Sequence, residues 1–223
     1  MDRSHLLFLC GRCLNRFNSV LVMQNQFLDG VFFINLDKRT DRRADVEAEF
    51  TMAGLEVERF VGIERKPGIV GCGLSHLACL KLAKERGYKN VLIFEDDFEF
   101  LVSRDEFWAA LRRFFEDEID YDVIMLSYLL HKGEPFNDYL HKVLYASTAS
   151  GYIVNSCFYD SLIELYEGGL PLLESTGKHW IYANDQIWKT LQPVSRWYAF
   201  QTRLGRQRGS FSDNSLIYQN YGF

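Results

Sequence analysis

An α/β fold with a largely parallel central sheet flanked by helices is predicted by three observations. Short apolar runs of strand length recur at residues 31–34, 91–94 and 123–126. Between them lie longer stretches whose apolar residues fall at helical spacing, as with Val46, Phe50 and Ala53 or Phe107, Leu111 and Phe114. Crossovers of that length are what parallel strands need. Polar residues gather directly after the apolar runs, at Asn35, at Glu95, Asp96 and Asp97, and at Ser127. Ligands in such sheets lie beyond the carboxyl ends of the strands, so these positions mark the expected site.

The composition fits one globular domain with a full core: 223 residues, 48% hydrophobic and 25% charged. A formal net charge of -5 speaks against a nucleic-acid binder, whose phosphate contacts need a basic face. The cysteines Cys10, Cys13, Cys72, Cys79 and Cys157 are odd in number and lack a framework spacing. They read as free thiols in a reducing, cytoplasmic compartment. Cys10 and Cys13 have no second CxxC or His pair to complete a zinc site. Arg12 and Arg16 interrupt the N-terminal candidate for a membrane span, and the apolar run at residues 6–9 is too short for a signal-peptide core. No membrane span and no secretion are expected.

Residues 1–26 show no clear period and read as an N-terminal arm or extra helix, with one domain over residues 27–223. After the first strand run, the polar stretch 35–43 precedes a helix closed by Gly54. Arg39, Arg42 and Arg43 stand where strand gives way to helix. Either they converge with backbone amides on a phosphate or nucleobase, or Asp41 caps the helix and they pair with Asp45 and Glu49. Residues 55–61 read as a short second strand. Beyond a break at Pro67 and Gly68 comes Gly71-Cys72-Gly73-Leu74-Ser75-His76, opening an apolar helix that ends at Gly87. Its glycines let the backbone approach something closely, and Ser75 and His76 are expected in the first turn. His76 is either a satisfied polar residue or part of a nucleotide pocket.

The third strand run is cut off by Glu95, Asp96 and Asp97. Adjacent anions repel one another. At a strand end they can project into a crevice and be neutralised by a divalent cation, whose natural ligands are carboxylate oxygens. The plainer alternative is turn or capping chemistry.

The second half is less regular. Residues 128–141 read as a long loop suited to acceptor contacts. Residues 143–146 and 149–154 read as strands, and Asn155 caps a helix carrying Phe158, Leu162 and Tyr166. Pro171 is expected to break the chain. Asp185 is either the N-cap of a short helix or a carboxylate aimed into the site. Residues 197–200 form a strand, and the tail's Arg203, Arg206 and Arg208 suggest an anion partner or a solvated basic turn.

Four pieces now stand in order: Ile34-Asn35-Leu36 with Arg39 and Asp41-Arg42; Gly71-Cys72-Gly73-Leu74-Ser75-His76; Leu92-Ile93-Phe94-Glu95-Asp96-Asp97; and the late Gln207 with Ser212-Asp213. Together they resemble glycosyltransferase family 25, which includes bacterial lipopolysaccharide galactosyl- and glucosyltransferases and collagen hydroxylysine galactosyltransferases. The resemblance implies a GT-A type nucleotide-sugar fold, with residues 27–223 as the glycosyltransferase domain. It also implies a UDP-hexose donor, galactose ahead of glucose, a divalent ion (usually manganese), and inversion at the anomeric carbon.

Carried over by position, Glu95-Asp96-Asp97 looks like the family's DxD-type element, with Asp97 the metal ligand and Glu95 nearer the ribose. Asn35, Leu36, Arg39, Arg42, Ser75 and His76 look like nucleotide contacts, and Arg206 and Arg208 add charge against the diphosphate. Asp185 is similar in placement to the acceptor-side base. Many GT-A enzymes supply a further metal ligand near the C-terminus, often a His; here the last His is His179, and Asp213 is the substitute. The chain is too short for the extra domain of the collagen-modifying members, so a glycan acceptor is expected. The rival readings are a sugar nucleotidyltransferase, although residues 35–43 lack its glycine-rich first loop, and a catalytically silent nucleotide-sugar or glycan-binding protein.

Overall fold

A computed structural model describes residue 24, residues 26–211 and residues 218–219. Most of the expected N-terminal arm, and Asp213, lie outside the described residues. Strand β1 (Gly30–Asn35) leads to helix α1 (Thr40–Ala53), then β2 (Glu58–Val61), helix α2 (Gly68–Glu85) and β3 (Asn90–Glu95). Next come β4 (Phe98–Phe100), α3 (Arg104–Glu116), β5 (Val123–Met125), β6 (Leu129–Pro135), β7 (Leu140–Ser147) and β8 (Gly151–Asn155). Helix α4 (Tyr159–Thr176), the short α5 (His179–Tyr182) and α6 (Asn184–Ile187), and strands β9 (Trp197–Phe200) and β10 (Gly205–Gln207) follow.

One sheet takes the order β2-β1-β3-β8-β5-β9-β7-β6. β1 is parallel to β2 and β3, and β5 to β9. β8 runs against both β3 and β5, and β7 against β9 and β6. Apart from β7 and β8, then, the strands share one direction, and their carboxyl ends meet at one edge. The α/β expectation holds.

The unbroken apolar runs are explained by the two faces they serve. Phe32, Val91 and Ile93 pack with Leu80 of α2 and Leu162 and Tyr166 of α4. Val31, Phe33, Leu92 and Phe94 pack on the other face with Phe50 of α1 and Phe107 and Leu111 of α3. A strand covered on both sides has no polar face to alternate with. Each fully buried Leu or Phe contributes roughly 1.5–3 kcal/mol, so these strands anchor everything at their ends.

Several expectations are corrected. Residues 128–141 are not a loop: most of them form β6 and the start of β7, paired from Leu129↔Ser147 to Pro135↔His141. β6 lies at the sheet edge with residues 131–135 exposed, so its sequence lacks an apolar period. Pro171 does not break the chain but sits inside α4. Burial of its neighbours Leu170 and Leu173 offsets the missing N–H. Arg39, not Asp41, is the N-cap of α1, and the carboxylate of Asp41 accepts from the Arg39 guanidinium at 3.0 and 2.9 Å. That pairing holds the Asp41 carboxyl down at about 2. Ala183, not Asp185, caps α6.

Candidate active site

The acid triplet is placed by the phenylalanines around it. Phe94 and Phe98 are both fully buried, with ring centroids 4.5 Å apart, so both ends of the turn are pinned and the three carboxylates are left at the strand end. The cleft they face measures about 550 Å³. It opens between the carboxyl ends of β1 and β3, the loop from β2 to α2, and the segment joining β7 to β8.

Each carboxylate has its own partners. Glu95 Oε1 lies 3.0 Å from His76 Nε2 and 3.4 Å from the Cys72 thiol. Asp96 accepts from Asn35 Nδ2 at 2.8 Å and from Arg42 Nη1 at 2.9 Å. Asp97 Oδ2 accepts from the same Arg42 nitrogen and from Gln207 Nε2, both at 3.1 Å. Its other oxygen, Oδ1, is buried and has no hydrogen-bond partner among the described residues.

The electrostatics follow from burial. Desolvation, then the charge of Glu95, pushes Asp97 up to about 7, against the pull of Arg42. Burial likewise raises Asp96 in spite of Arg42. Glu95 goes the other way: burial disfavours its charge, but the His76 hydrogen bond and charge outweigh that and hold it below the usual range. Arg42 is raised because Asp97 and Asp96 more than offset its own desolvation. The cluster is short of positive charge, and its orphaned oxygen is a hard ligand.

Leu36, Arg39, Arg42, the triplet and Asp185 all line the cleft. Asn35 lies beneath it, 1% exposed, holding Asp96 and the Arg39 carbonyl. Ser75 and His76 are not in the first turn, because α2 already begins at Gly68. They line the cleft, and in this structure both are bonded to protein groups. Ser75 Oγ accepts from the Ile63 N–H at 2.8 Å and donates to the Gly71 carbonyl, tying the β2–α2 loop to the helix. His76 is fully buried, with Tyr152 Oη on Nδ1 at 2.8 Å and Glu95 on Nε2.

The close approach expected of the glycines is to protein. A Cβ at Gly71 would stand 2.2 Å from the Ile63 carbonyl oxygen, and one at Gly73 2.4 Å from Leu170. Arg206 and Arg208 are also corrected. Arg206 pairs with Glu99, and Arg208 with Glu49 and Asp45, so neither borders the cleft.

Cys72, His76 and Glu95 bring their ligand atoms within 4.8 Å of one another, yet burial, then Glu95, raises the Cys72 thiol well above its ordinary range. In this structure the three are joined as hydrogen-bond partners, with Glu95 Oε1 standing next to both the His76 nitrogen and the Cys72 thiol.

Sequence reasoning missed Arg59, whose Nε donates to Asn35 Oδ1 at 3.0 Å, and Thr148, whose N–H donates to Asp185 Oδ2 at 3.1 Å. It also passed over Arg65 and Lys66 on the cleft wall. A basic pair before Pro67 was the available signal for the last two. The others are joined only by the fold.

Fold and site together define an α/β domain with a cleft at its strand ends that carries an acidic cluster and basic side chains on its walls, the arrangement expected of a GT-A type protein. Curated relatives bear out the family seen in the sequence: each carries the name glycosyltransferase 25 family member. The one from Drosophila melanogaster is 30% identical over 101 residues, 33% of this chain and 16% of the relative. The one from Anopheles gambiae is 26% identical over 115 residues, 39% of this chain and 19% of the relative. The match thus spans less than a fifth of either relative's length. No family model matches the chain.

Among solved structures, a glycosyltransferase involved in glycosylation of the major capsid of PBCV-1 gives a TM-score of 0.45 at 10% identity, covering 83% of this chain and 95% of that one. UDP-glucose pyrophosphorylase complexed with UDP-glucose gives 0.44 at 11%, covering 87% and 80%. At these scores the likeness is of general architecture only.

Proposed function

We propose that this chain is a glycosyltransferase that moves a hexose, galactose ahead of glucose, from a UDP-sugar to a hydroxyl of a glycan acceptor. The single observation that carries this reading is the unpartnered, buried Oδ1 of Asp97 among anions at the rim of the cleft. These residues fit a divalent cation, manganese being the expected one. Asp97 would hold it directly, and when bound it supplies positive charge against the diphosphate leaving group.

The chain's own groups supply the rest. Arg42 fixes the relative placement of Asp96 and Asp97 by bridging them. Arg65 and Lys66 bring positive charge to the wall where an anionic donor would lie. Asp185 is oriented through Oδ2 by the Thr148 N–H and by Gln186 Nε2. Its Oδ1 is left to take the proton of the attacking acceptor hydroxyl in a single displacement with inversion.

The test is a screen of UDP-sugars for protection against thermal unfolding with and without manganese, followed by a transfer assay. Ligand at about 100 times Kd adds roughly 2.7 kcal/mol, which for a chain of this size is a rise of several degrees. Asp97→Asn is expected to abolish manganese-dependent turnover, and Asp185→Asn to lose transfer while keeping UDP binding. A protein indifferent to every UDP-sugar, with manganese or without, overturns the proposal. Pyrophosphate released from UTP and a hexose 1-phosphate would point to a nucleotidyltransferase instead.

A further inference from the structure

On the wall that carries Asp185, two features remain unexplained by metal or nucleotide binding. Thr148 has φ of 81°, a left-handed conformation that a β-branched residue rarely adopts. Strain of this kind persists where the surroundings over-determine it, and it clusters at ligand sites. Here the bond from the Thr148 N–H to Asp185 helps to hold it. The second feature is Asn184. It is 3% exposed and lines the cleft, and its Nδ2 is buried without a hydrogen-bond partner among the described residues. Among the described residues its Oδ1 meets only the Cys72 thiol, at 3.9 Å. A buried amide left unmet is costly to the folded chain, so such a group calls for a ligand.

We propose that Asn184 is a specificity-determining residue whose amide hydrogen-bonds one ring hydroxyl of a sugar in the cleft. The inference rests on the transferase reading above and adds to it the group that selects the sugar. The chemistry of the corner favours a hydroxyl over the other parts of the substrate. A hydroxyl both donates and accepts, so an amide beside the carboxylate of Asp185 satisfies both of its roles. A phosphate only accepts, and Asp185 repels it. The Thr148 N–H fixes the Asp185 carboxylate on the cleft wall that Asn184 also lines.

The hydroxyl belongs either to the transferred hexose or to the acceptor glycan, and one experiment separates the two. Transfer rates are measured for the wild type, Asn184→Ala and the shape-preserving Asn184→Asp, using intact substrates, singly deoxygenated UDP-hexoses and singly deoxygenated acceptors. Asn184→Ala is expected to lower kcat/KM about ten- to a hundredfold on intact substrates, whereas protection by UDP with manganese stays at the wild-type level. For one deoxy compound the variant and the wild type should become equal, and whether it is a donor or an acceptor names the source. Rates within about twofold of wild type on intact substrates overturn the proposal. So does an equal penalty on every deoxy compound, or lost UDP protection in both variants, which would make Asn184 structural. A wild type that UDP and manganese fail to protect sinks the transferase reading itself, a separate outcome.

Discussion

Asp96 owes its position to a residue that never reaches the cleft rim. Arg59 donates to Asn35 Oδ1, and a guanidinium has no acceptor to offer, so the Asn35 amide can face Asp96 only with its nitrogen. Arg59→Ala removes the bond that anchors the oxygen side of that amide, leaving its nitrogen bonds to Asp96 and the Arg39 carbonyl to hold it alone. Loss of such an outer partner at a cation site typically costs about 10- to 100-fold in affinity. The expected outcome is a manganese titration of UDP-sugar protection displaced by about tenfold, partly restored in Arg59→Lys. A titration that overlays the wild type would show that Asn35 needs no such support. Asp97 makes the opposite case. Its carboxylate is desolvated beside Glu95 and Asp96, and an amide of the same shape carries no charge. In the presence of chelator, Asp97→Asn should therefore melt a few degrees higher than the wild type while losing turnover, as expected where function holds a site away from its stability optimum. A lower melting temperature would contradict this reading of the cluster.

At the scale of elements, β5 and β9 are joined at their amino ends as well as along their lengths. Asp122, just before β5, accepts from the Arg196 backbone N–H at 2.7 Å and from its guanidinium at 2.6 Å, just before β9. Burial disfavours the Asp122 charge, but the Arg196 side-chain and backbone bonds outweigh it and hold the carboxyl below its ordinary 3.8. A carboxyl depressed in the folded state adds stability that is present above the ordinary value and is lost as pH falls through the folded one. Asp122→Asn should therefore lower stability at neutral pH and flatten the acid-unfolding limb below about pH 4. Parallel acid limbs in variant and wild type would show that the pair contributes nothing. Helix α3 offers a cleaner local test. Ser103 and Glu106 form a reciprocal cap, and Ser103→Ala should cost about 1 kcal/mol in denaturant unfolding.

These elements also show what the sequence makes legible. β1, β3 and β5 could be read because burial on both faces writes an unbroken apolar run. α1 could be read because Gly54, at φ 69°, marks its end. The edge strand β6 has no such signature, and in α4 tertiary burial overrides the local rule for Pro171. The acid triplet was legible for the same local reason as the strands. Asn35, Arg42 and Gln207 were picked out in the sequence, but their pairing with the triplet was not, since Gln207 lies 110 residues from Asp97, and Arg59, 24 from Asn35, was missed. Only the fold supplies those pairings.

Across the whole molecule, the site is closed by two distant parts of the chain. β10 returns after the sheet is complete and pairs with β4, placing Gln207 opposite Phe98. From there Gln207 reaches the Asp97 side chain, and the Arg208 N–H donates to the Asp97 carbonyl at 2.6 Å. The Arg208 guanidinium turns away from the cleft to Glu49 and Asp45 on α1, so the tail acts as a clasp between α1 and the acid turn. Its two side chains should then fail in different ways. Gln207→Ala removes a donor from a carboxylate already short of positive charge, so it should shift the manganese titration while leaving the melting temperature within about a degree, since few packing contacts change. Arg208→Ala keeps the backbone bond and breaks partly buried ion pairs, so it should lose about 1 kcal/mol with the titration unmoved. Measuring both quantities on both variants is decisive: if Arg208→Ala displaced the titration and Gln207→Ala did not, the clasp would be assigned to the wrong residue.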